Sequence, residues 1–272
     1  MRRIPAPAKL NLALVVGPRR DDGRHEVTTV LQRLDLADRV TIEQADRLRV
    51  AGFDEDTLVR AALERLAAAA GVEPRWQARI DKRIPVASGL GGGSSDAAAA
   101  LLLANRRLAK PLDSSALHGL GAEIGTDVPF FLRSGPALGT GAGDELQPLH
   151  LPQDFWVVLV LPEGAAKSST ADVYAGFDAR GGEDGYAQRR DALLEALRAV
   201  RRPRDLAALP PNDLATSELA ARLLDQGAFR ADVSGAGPIV YGLFMQRPAA
   251  ERAARHLRPL GQTWVTVPAW YG

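Results

Sequence analysis

The sequence has no cysteine at all. This excludes disulfide scaffolds, thiol nucleophiles, thiolate zinc sites and cysteine-ligated iron–sulfur clusters. It has no excess of one charge either: 34 Lys and Arg stand against 33 Asp and Glu, a formal net charge of +1. The bulk electrostatic footprint of a nucleic-acid protein is therefore missing, although a local basic patch is compatible with balance. No apolar run approaches the roughly 18–20 residues of a spanning helix. In the N-terminal stretch MRRIPAPAKLNLALVVG, Pro5, Pro7, Lys9 and Asn11 interrupt what would be the apolar core of a signal peptide. A cytoplasmic protein with neither a membrane nor a nucleic-acid partner is expected. What is present is ordinary for a globular chain: 46% apolar and 25% charged residues over 272 positions, enough for one large domain or two moderate ones. Glycine is modestly enriched, at 26 residues.

Residues 8–16 (AKLNLALVV) alternate, so Leu10, Leu12 and Leu14 share one face of a strand and Lys9 and Asn11 the other. A polar turn at 17–25 precedes strands predicted at 27–34 and 38–50. DTLVRAALERLAAAA at 56–70 has helical periodicity, with Asp56 or Thr57 as cap and Gly71 as stop. A strand is predicted at 76–83, a helix at 114–124, and a glycine-rich stretch without assigned role at 135–143. The second half opens on a buried strand at 155–162. Helices are predicted at 170–177, 186–200, 216–226 and 248–258, extended segments flank a glycine turn within 231–246, and a last strand spans 262–267. Strands and helices mix without regular βα alternation, which reads as α+β. The proline-flanked HLPQD at 150–154 divides the chain into two units, 1–153 and 154–272.

The most informative stretch runs from Pro85 to Ala98. Four of the five residues from Gly89 to Gly93 are glycine, and they lead directly into Ser94, Ser95, Asp96 and an Ala-rich helix. Glycine lets backbone N–H groups converge, and the helix start adds partial positive charge, so the pair makes a phosphate cradle. It is neither a Walker A loop, since GxxxxGK[ST] is absent, nor a dinucleotide fingerprint, since no βαβ unit surrounds it.

Three dispersed segments resemble the GHMP kinase superfamily. PAKLNL at 7–12 is similar to its first motif, PVASGLGGGSSDAA at 85–98 to its second, and SGAG at 234–237 to the glycine turn of its third. The long GLGGGSSDAA form resembles the branch that phosphorylates 4-diphosphocytidyl-2-C-methyl-D-erythritol in the non-mevalonate isoprenoid pathway. DGRHE at 22–26, LDLAD at 34–38, GTDVPFF at 125–131, STADVY at 169–174 and NDL at 212–214 support that branch, in matching order. The resemblance implies an α+β fold. Its N-terminal domain would resemble domain 2 of ribosomal protein S5, its C-terminal domain would be ferredoxin-like, and the site would lie between them.

It also implies roles. Asp127 would stand beside the acceptor hydroxyl, and Lys9 between that hydroxyl and the phosphate. ATP would lie along Gly89, Leu90, Gly91, Gly92 and Gly93, behind Pro85, with Ser94, Ser95 and Asp96 nearby and Leu58 and Lys82 near the nucleoside. Mg2+ would accompany ATP, with no protein ligand assigned. Asn11, Arg24 and His25 would hold the cytidyl end of the acceptor. Thr170 and Tyr174 would close the other side, the ring at 174 stacking on cytosine.

Three positions depart from the pattern: Arg24 replaces a tyrosine expected to stack on cytosine, Thr57 an asparagine, and Pro238 removes a backbone donor from the third motif. Two other readings stay open, a GHMP kinase for another small alcohol and a nucleotide-binding protein on this fold without turnover. Arg24 keeps the first open. Retention of Lys9 and Asp127 weighs against the second.

Overall fold

The computed structural model describes residues 3–165 and 169–269; Met1 and Arg2 of the N-terminal stretch fall outside them. The chain forms two sheets. In the first, β1 (Arg3–Arg19) and β2 (His25–Gln44) pair antiparallel along nearly their whole length. The strands expected at 27–34 and 38–50 are instead one strand through Gln44, with 49–50 in a separate short strand, because no glycine or proline interrupts 27–44 and Ala37 and Asp38 stay paired with Pro7 and Ala6. On its second edge this long strand meets two shorter ones: β4 (Trp76–Asp81) pairs with residues 39–44, and β5 (Ala137–Thr140) with residues 29–31. β3 (Arg49–Ala51) adds parallel to β4, and β6 (Glu145–Pro148) adds antiparallel to β5. The glycine-rich stretch 135–143 is thus a hairpin, with Gly141 and Gly143 at φ 65° and 99° in its turn.

One face of this sheet is covered by α1 (Leu58–Ala70) and α2 (Gly92–Asn105), with α3 (Ser114–Ile124) and the short α4 (Val128–Phe131) outside them. Val59, Leu63 and Leu66 of α1 and Ala97 and Leu101 of α2 join Val40, Ile42, Ala78 and Ile80 of the strands in one core. The Asp56 carboxylate accepts from the backbone N–H groups of Val59 and Arg60, so Asp56 rather than Thr57 caps α1 by side chain. α2 is apolar all round and buried accordingly.

The second sheet contains β7 (Trp156–Pro162), β8 (Arg230–Val233), β9 (Val240–Phe244) and β10 (Gly261–Thr266) in the order β10-β7-β9-β8, all antiparallel. Numbered along the chain this is 4-1-3-2, the ferredoxin-like arrangement. α5 (Thr170–Ala179), α6 (Tyr186–Ala199) and α7 (Glu218–Asp225) lie between β7 and β8, and α8 (Arg247–Leu257) between β9 and β10. α7 and α8 cover one face. The other packs on β1: Leu10 and Leu12 meet Val157, Leu159 and Leu243, and the Tyr241 hydroxyl donates to the Leu12 carbonyl at 3.1 Å. The side of β1 carrying Lys9 and Asn11 is buried too, at 6% exposure each. Among the described residues no helix is long and apolar enough to cross a membrane.

Candidate functional site

A cleft of about 570 Å3 opens where the two sheets meet, within the size range of small-molecule sites. Its floor is the loop from Pro85 to Gly93 and the first turn of α2, whose leading N–H groups have no partner within the helix. Two glycines are required here. Gly89 has φ 84°, and a Cβ on it would stand 2.7 Å from the Gly237 carbonyl oxygen and 2.9 Å from that of Ser234. Gly91 has φ 70°, and its Cβ would stand 3.0 Å from Lys9 Cγ and 3.1 Å from the Phe131 ring. The glycine loop is thereby pressed between the 234–237 turn and the Lys9 stem. The Lys9 N–H donates to the Leu90 carbonyl at 2.9 Å and so fixes the loop to β1.

A chain of hydrogen bonds sets the Lys9 ammonium. The Thr29 hydroxyl donates to the Ala13 carbonyl at 2.8 Å, so its oxygen is left to accept from Asn11 Nδ2, also at 2.8 Å. Asn11 Oδ1 therefore faces the other way and accepts from Lys9 Nζ at 2.7 Å. The ammonium stands 3.4 Å from Asp127 Oδ2, and the aspartate side chain is 36% exposed to the cleft. Asp127 precedes α4, which is pinned from behind by buried Arg33, whose Nη2 donates to the Phe130 carbonyl at 2.7 Å. Tyr174 lines the same space, and burial, with the Asp127 charge adding, pushes its hydroxyl up to about 12.

At the other end of the loop the Lys82 ammonium is held by two carboxylates, Asp38 at 2.5 Å and Asp96 at 2.9 Å, beneath the Phe53 ring. Asp38 is fully buried, and its second oxygen accepts from the N–H groups of Arg83 and Ile84. Burial works against the Lys82 charge, but Asp96 and Asp38 outweigh it and the net shift is upward.

This geometry joins the three kinase-like motifs in one cleft, and comparison with known proteins agrees. Residues 57–135 match the family described as GHMP kinases N terminal domain. The 4-diphosphocytidyl-2-C-methyl-D-erythritol kinase of Anaeromyxobacter sp. (strain Fw109-5) is 44% identical over 266 residues, covering 92% of this chain and 84% of that one. The chain belongs to the 4-diphosphocytidyl-2-C-methyl-D-erythritol kinase family. The enzyme of that name from Salinispora arenicola (strain CNS-205) is 39% identical over 95% of this chain and 88% of its own. A crystal structure of a 4-(cytidine 5'-diphospho)-2C-methyl-D-erythritol kinase superposes with a TM-score of 0.81 at 32% identity, covering 99% of this chain and all of that one.

Against the kinase-family motifs, the structure brings Lys9, Asn11, Leu58, Lys82, Pro85, Gly89 to Ser94, Asp127, Thr170 and Tyr174 to one cleft. Four expected residues do not line it. Ser95 and Asp96 point into the protein at 1% exposure, because the second helical turn directs them under the loop. Arg24 lies outside, its guanidinium bound by Asp22 at 2.8 Å and near Asp144 at 3.8 Å. His25 sits behind Tyr174, with ring centroids 4.8 Å apart, and its Nε2 meets Asp178 Oδ1 at 2.7 Å. Asn11, expected with His25 at the cytidyl end, lines the cleft and bonds the Lys9 ammonium, its register on β1 placing it opposite Leu31 while His25 pairs with Arg19. The sequence reading gave no role to Thr29, Asp38, Phe53, Asp178 or the 142–143 turn. Only Asp38 lay in a quoted motif.

The buried Asp96 has one oxygen without a partner. Burial first, and then the Asp38 charge, push its carboxyl up to about 7. The folded protein therefore keeps a proton between about pH 4 and pH 7 that the unfolded chain has lost, and stability should fall as pH rises through that window. Urea midpoints at pH 5 and pH 8 check this: Asp96→Asn should flatten the difference by on the order of 2 kcal/mol, whereas identical pH slopes would contradict it.

Proposed function

We propose that this chain transfers the γ-phosphoryl group of ATP to the 2-hydroxyl of 4-diphosphocytidyl-2-C-methyl-D-erythritol, with Lys9 and Asp127 as the catalytic pair. The single observation that carries the reading is the ammonium–carboxylate pair 3.4 Å apart at the head of the glycine loop. The loop N–H groups and the start of α2 offer donors and partial positive charge to the phosphates. Leu58, Phe53 and Lys82 border the nucleoside end, and Thr170, Tyr174 and the 142–143 turn border the acceptor end. Residues 1–153 would form the ATP-binding unit and 154–272 the second.

An aliphatic alcohol is far too weak an acid for Asp127 to ionise beforehand. In a loose phosphoryl-transfer transition state the hydroxyl proton leaves late, so Asp127 needs only to orient the hydroxyl and receive the proton as the O–P bond forms. The Lys9 ammonium offsets the charge gathering on the transferred group. Its direction is set in advance by Asn11 and Thr29, so no reorganisation is required during the step. Mg2+, when bound with ATP, neutralises phosphate charge. The donors around the loop, backbone N–H groups and the Ser94 hydroxyl, suit phosphate oxygens, so the ion would be held chiefly through the nucleotide. A cytoplasmic location fits these soluble substrates.

Incubation with ATP, Mg2+ and 4-diphosphocytidyl-2-C-methyl-D-erythritol, followed by mass spectrometry, tests the reading. One phosphoryl group should be added to the acceptor. Turnover of a different alcohol alone, or ATP binding without turnover of any acceptor, would reject it.

Asp178 should act on the acceptor through His25. Arg19, then His25, hold its carboxyl below the usual range, and its contact with His25 ties α5 to the 21–25 turn behind Tyr174. Loss of one such charge-assisted contact corresponds to about 1 kcal/mol, or five- to tenfold. Asp178→Asn should raise the acceptor KM by that factor and leave the ATP KM unchanged. Steady-state kinetics with each substrate varied would show an equal rise in both if the contact were merely structural.

A further inference from the structure

We propose that the open face of the first sheet carries a second anion site, for a phosphate or diphosphate group, built by Arg3, Arg39 and Arg79. The argument begins with register. Across β1, β2 and β4, Arg3 lies opposite Thr41 and Thr41 opposite Arg79, while Arg39 in the next row lies opposite Asp81. Side chains two residues apart on a strand share a face, so Arg39, Thr41, Arg79 and Asp81 all project from the side that α1 and α2 leave uncovered. They line a concavity of about 750 Å3, distinct from the nucleotide cleft and sharing only Lys82 with it.

The charge in this concavity is uncompensated. Three guanidiniums stand against the single carboxylate of Asp81, which is taken by Arg3. Lys82 is neutralised from the other side by Asp38 and Asp96. Glu43 lies on the same face but opposite Gln77, beside Arg49 of β3, and does not line the concavity. Among the described residues the Arg39 and Arg79 side chains have neither an ion-pair nor a hydrogen-bond partner. Arg39 lies directly opposite Asp81, but that carboxylate is bonded to Arg3, so the pairing across β2 and β4 leaves the Arg39 charge unmet and Arg79 faces only Thr41. Two unpaired planar forks beside the Thr41 hydroxyl are complementary in charge and shape to a phosphate dianion, each guanidinium presenting paired N–H groups to two oxygens.

The test uses the full chain with its nucleotide cleft saturated by a non-hydrolysable ATP analogue and Mg2+. Inorganic diphosphate is titrated by calorimetry into this complex. Binding should persist at one equivalent, and the double variant Arg39→Ala/Arg79→Ala should weaken it at least tenfold with kcat unchanged. Arg49→Ala, on the same face outside the concavity, should leave it within twofold. All three arginines are exposed at the surface, and the double variant should keep or raise its urea midpoint. Ribose 5-phosphate, titrated in parallel, distinguishes the source of the group: tighter binding of inorganic diphosphate assigns the site to the free anion, tighter binding of the sugar phosphate to an organic phosphate. Absence of binding by either probe to the saturated complex, or equal weakening by Arg49→Ala and by the double variant, would overturn the proposal.

Discussion

Asp127→Asn should lower kcat by about 10^3, within the span that a positioned acid–base group contributes, while ATP still binds within about threefold of the parent. The asparagine is isosteric, so it keeps the start of α4 in place. It has no basic oxygen to receive the proton, and its amide cannot pair with the Lys9 ammonium 3.4 Å away in the same sense. Nucleotide affinity should survive because the glycine loop and the first turn of α2 make their contacts independently of residue 127. The two quantities separate cleanly in a single-turnover experiment alongside a fluorescent-nucleotide titration. Parent-like turnover in Asp127→Asn would remove this residue from the proton path. A parallel collapse of nucleotide binding would mean that it shapes the cleft rather than the reaction. A second readout follows from Tyr174: with the nearby carboxylate gone, its hydroxyl should titrate below its present position near 12, since burial alone would then hold it up.

The largest effect on stability should come from Asp38→Ala. This side chain is 0% exposed and serves three donors, Lys82 Nζ at 2.5 Å, the Arg83 N–H at 2.5 Å and the Ile84 N–H at 2.8 Å. Its removal leaves two backbone donors unmet and a buried ammonium with half its counter-charge. Breaking a buried pair from one side costs about 3–5 kcal/mol. Asp38→Asn should cost less, since its remaining carbonyl oxygen can still accept from Arg83 and Ile84. Relief of the Asp38 charge should also let the Asp96 carboxyl fall back from about 7. Urea denaturation of the parent and both variants gives the order. A parent-like midpoint for Asp38→Ala would show that the Lys82 cluster is not a fixed support of the loop.

Much of the site was legible in the sequence because it is built from contiguous segments. Gly89 to Gly93 followed by Ser94 declares a helix entry, and alternation along 8–16 places Lys9 and Asn11 together. What could not be read is what depends on pairing between distant strands. Thr29 orients Asn11 only because β2 lies beside β1, and the LDLAD segment shows nothing of its contact with Lys82, 44 residues away. The placement of His25 was illegible for the same reason, since Asp178 holds its ring from 153 residues away, whereas Arg24 is held by Asp22 of its own loop. β2 runs on through residues 35–37, which fall between two predicted strands, because Ala37 and Asp38 stay paired with β1.

β1 has a consequence for how the molecule comes apart. Its Leu10 and Leu12 belong to the core of the second sheet, and its main chain pairs with β2 along nearly its whole length in the first. A strand held in common leaves no interface along which one half can melt while the other persists. Heat should therefore take both halves through a single cooperative transition, and the β1 amides that bond to β2 should be among the last to exchange with deuterium, opening only when the whole chain does.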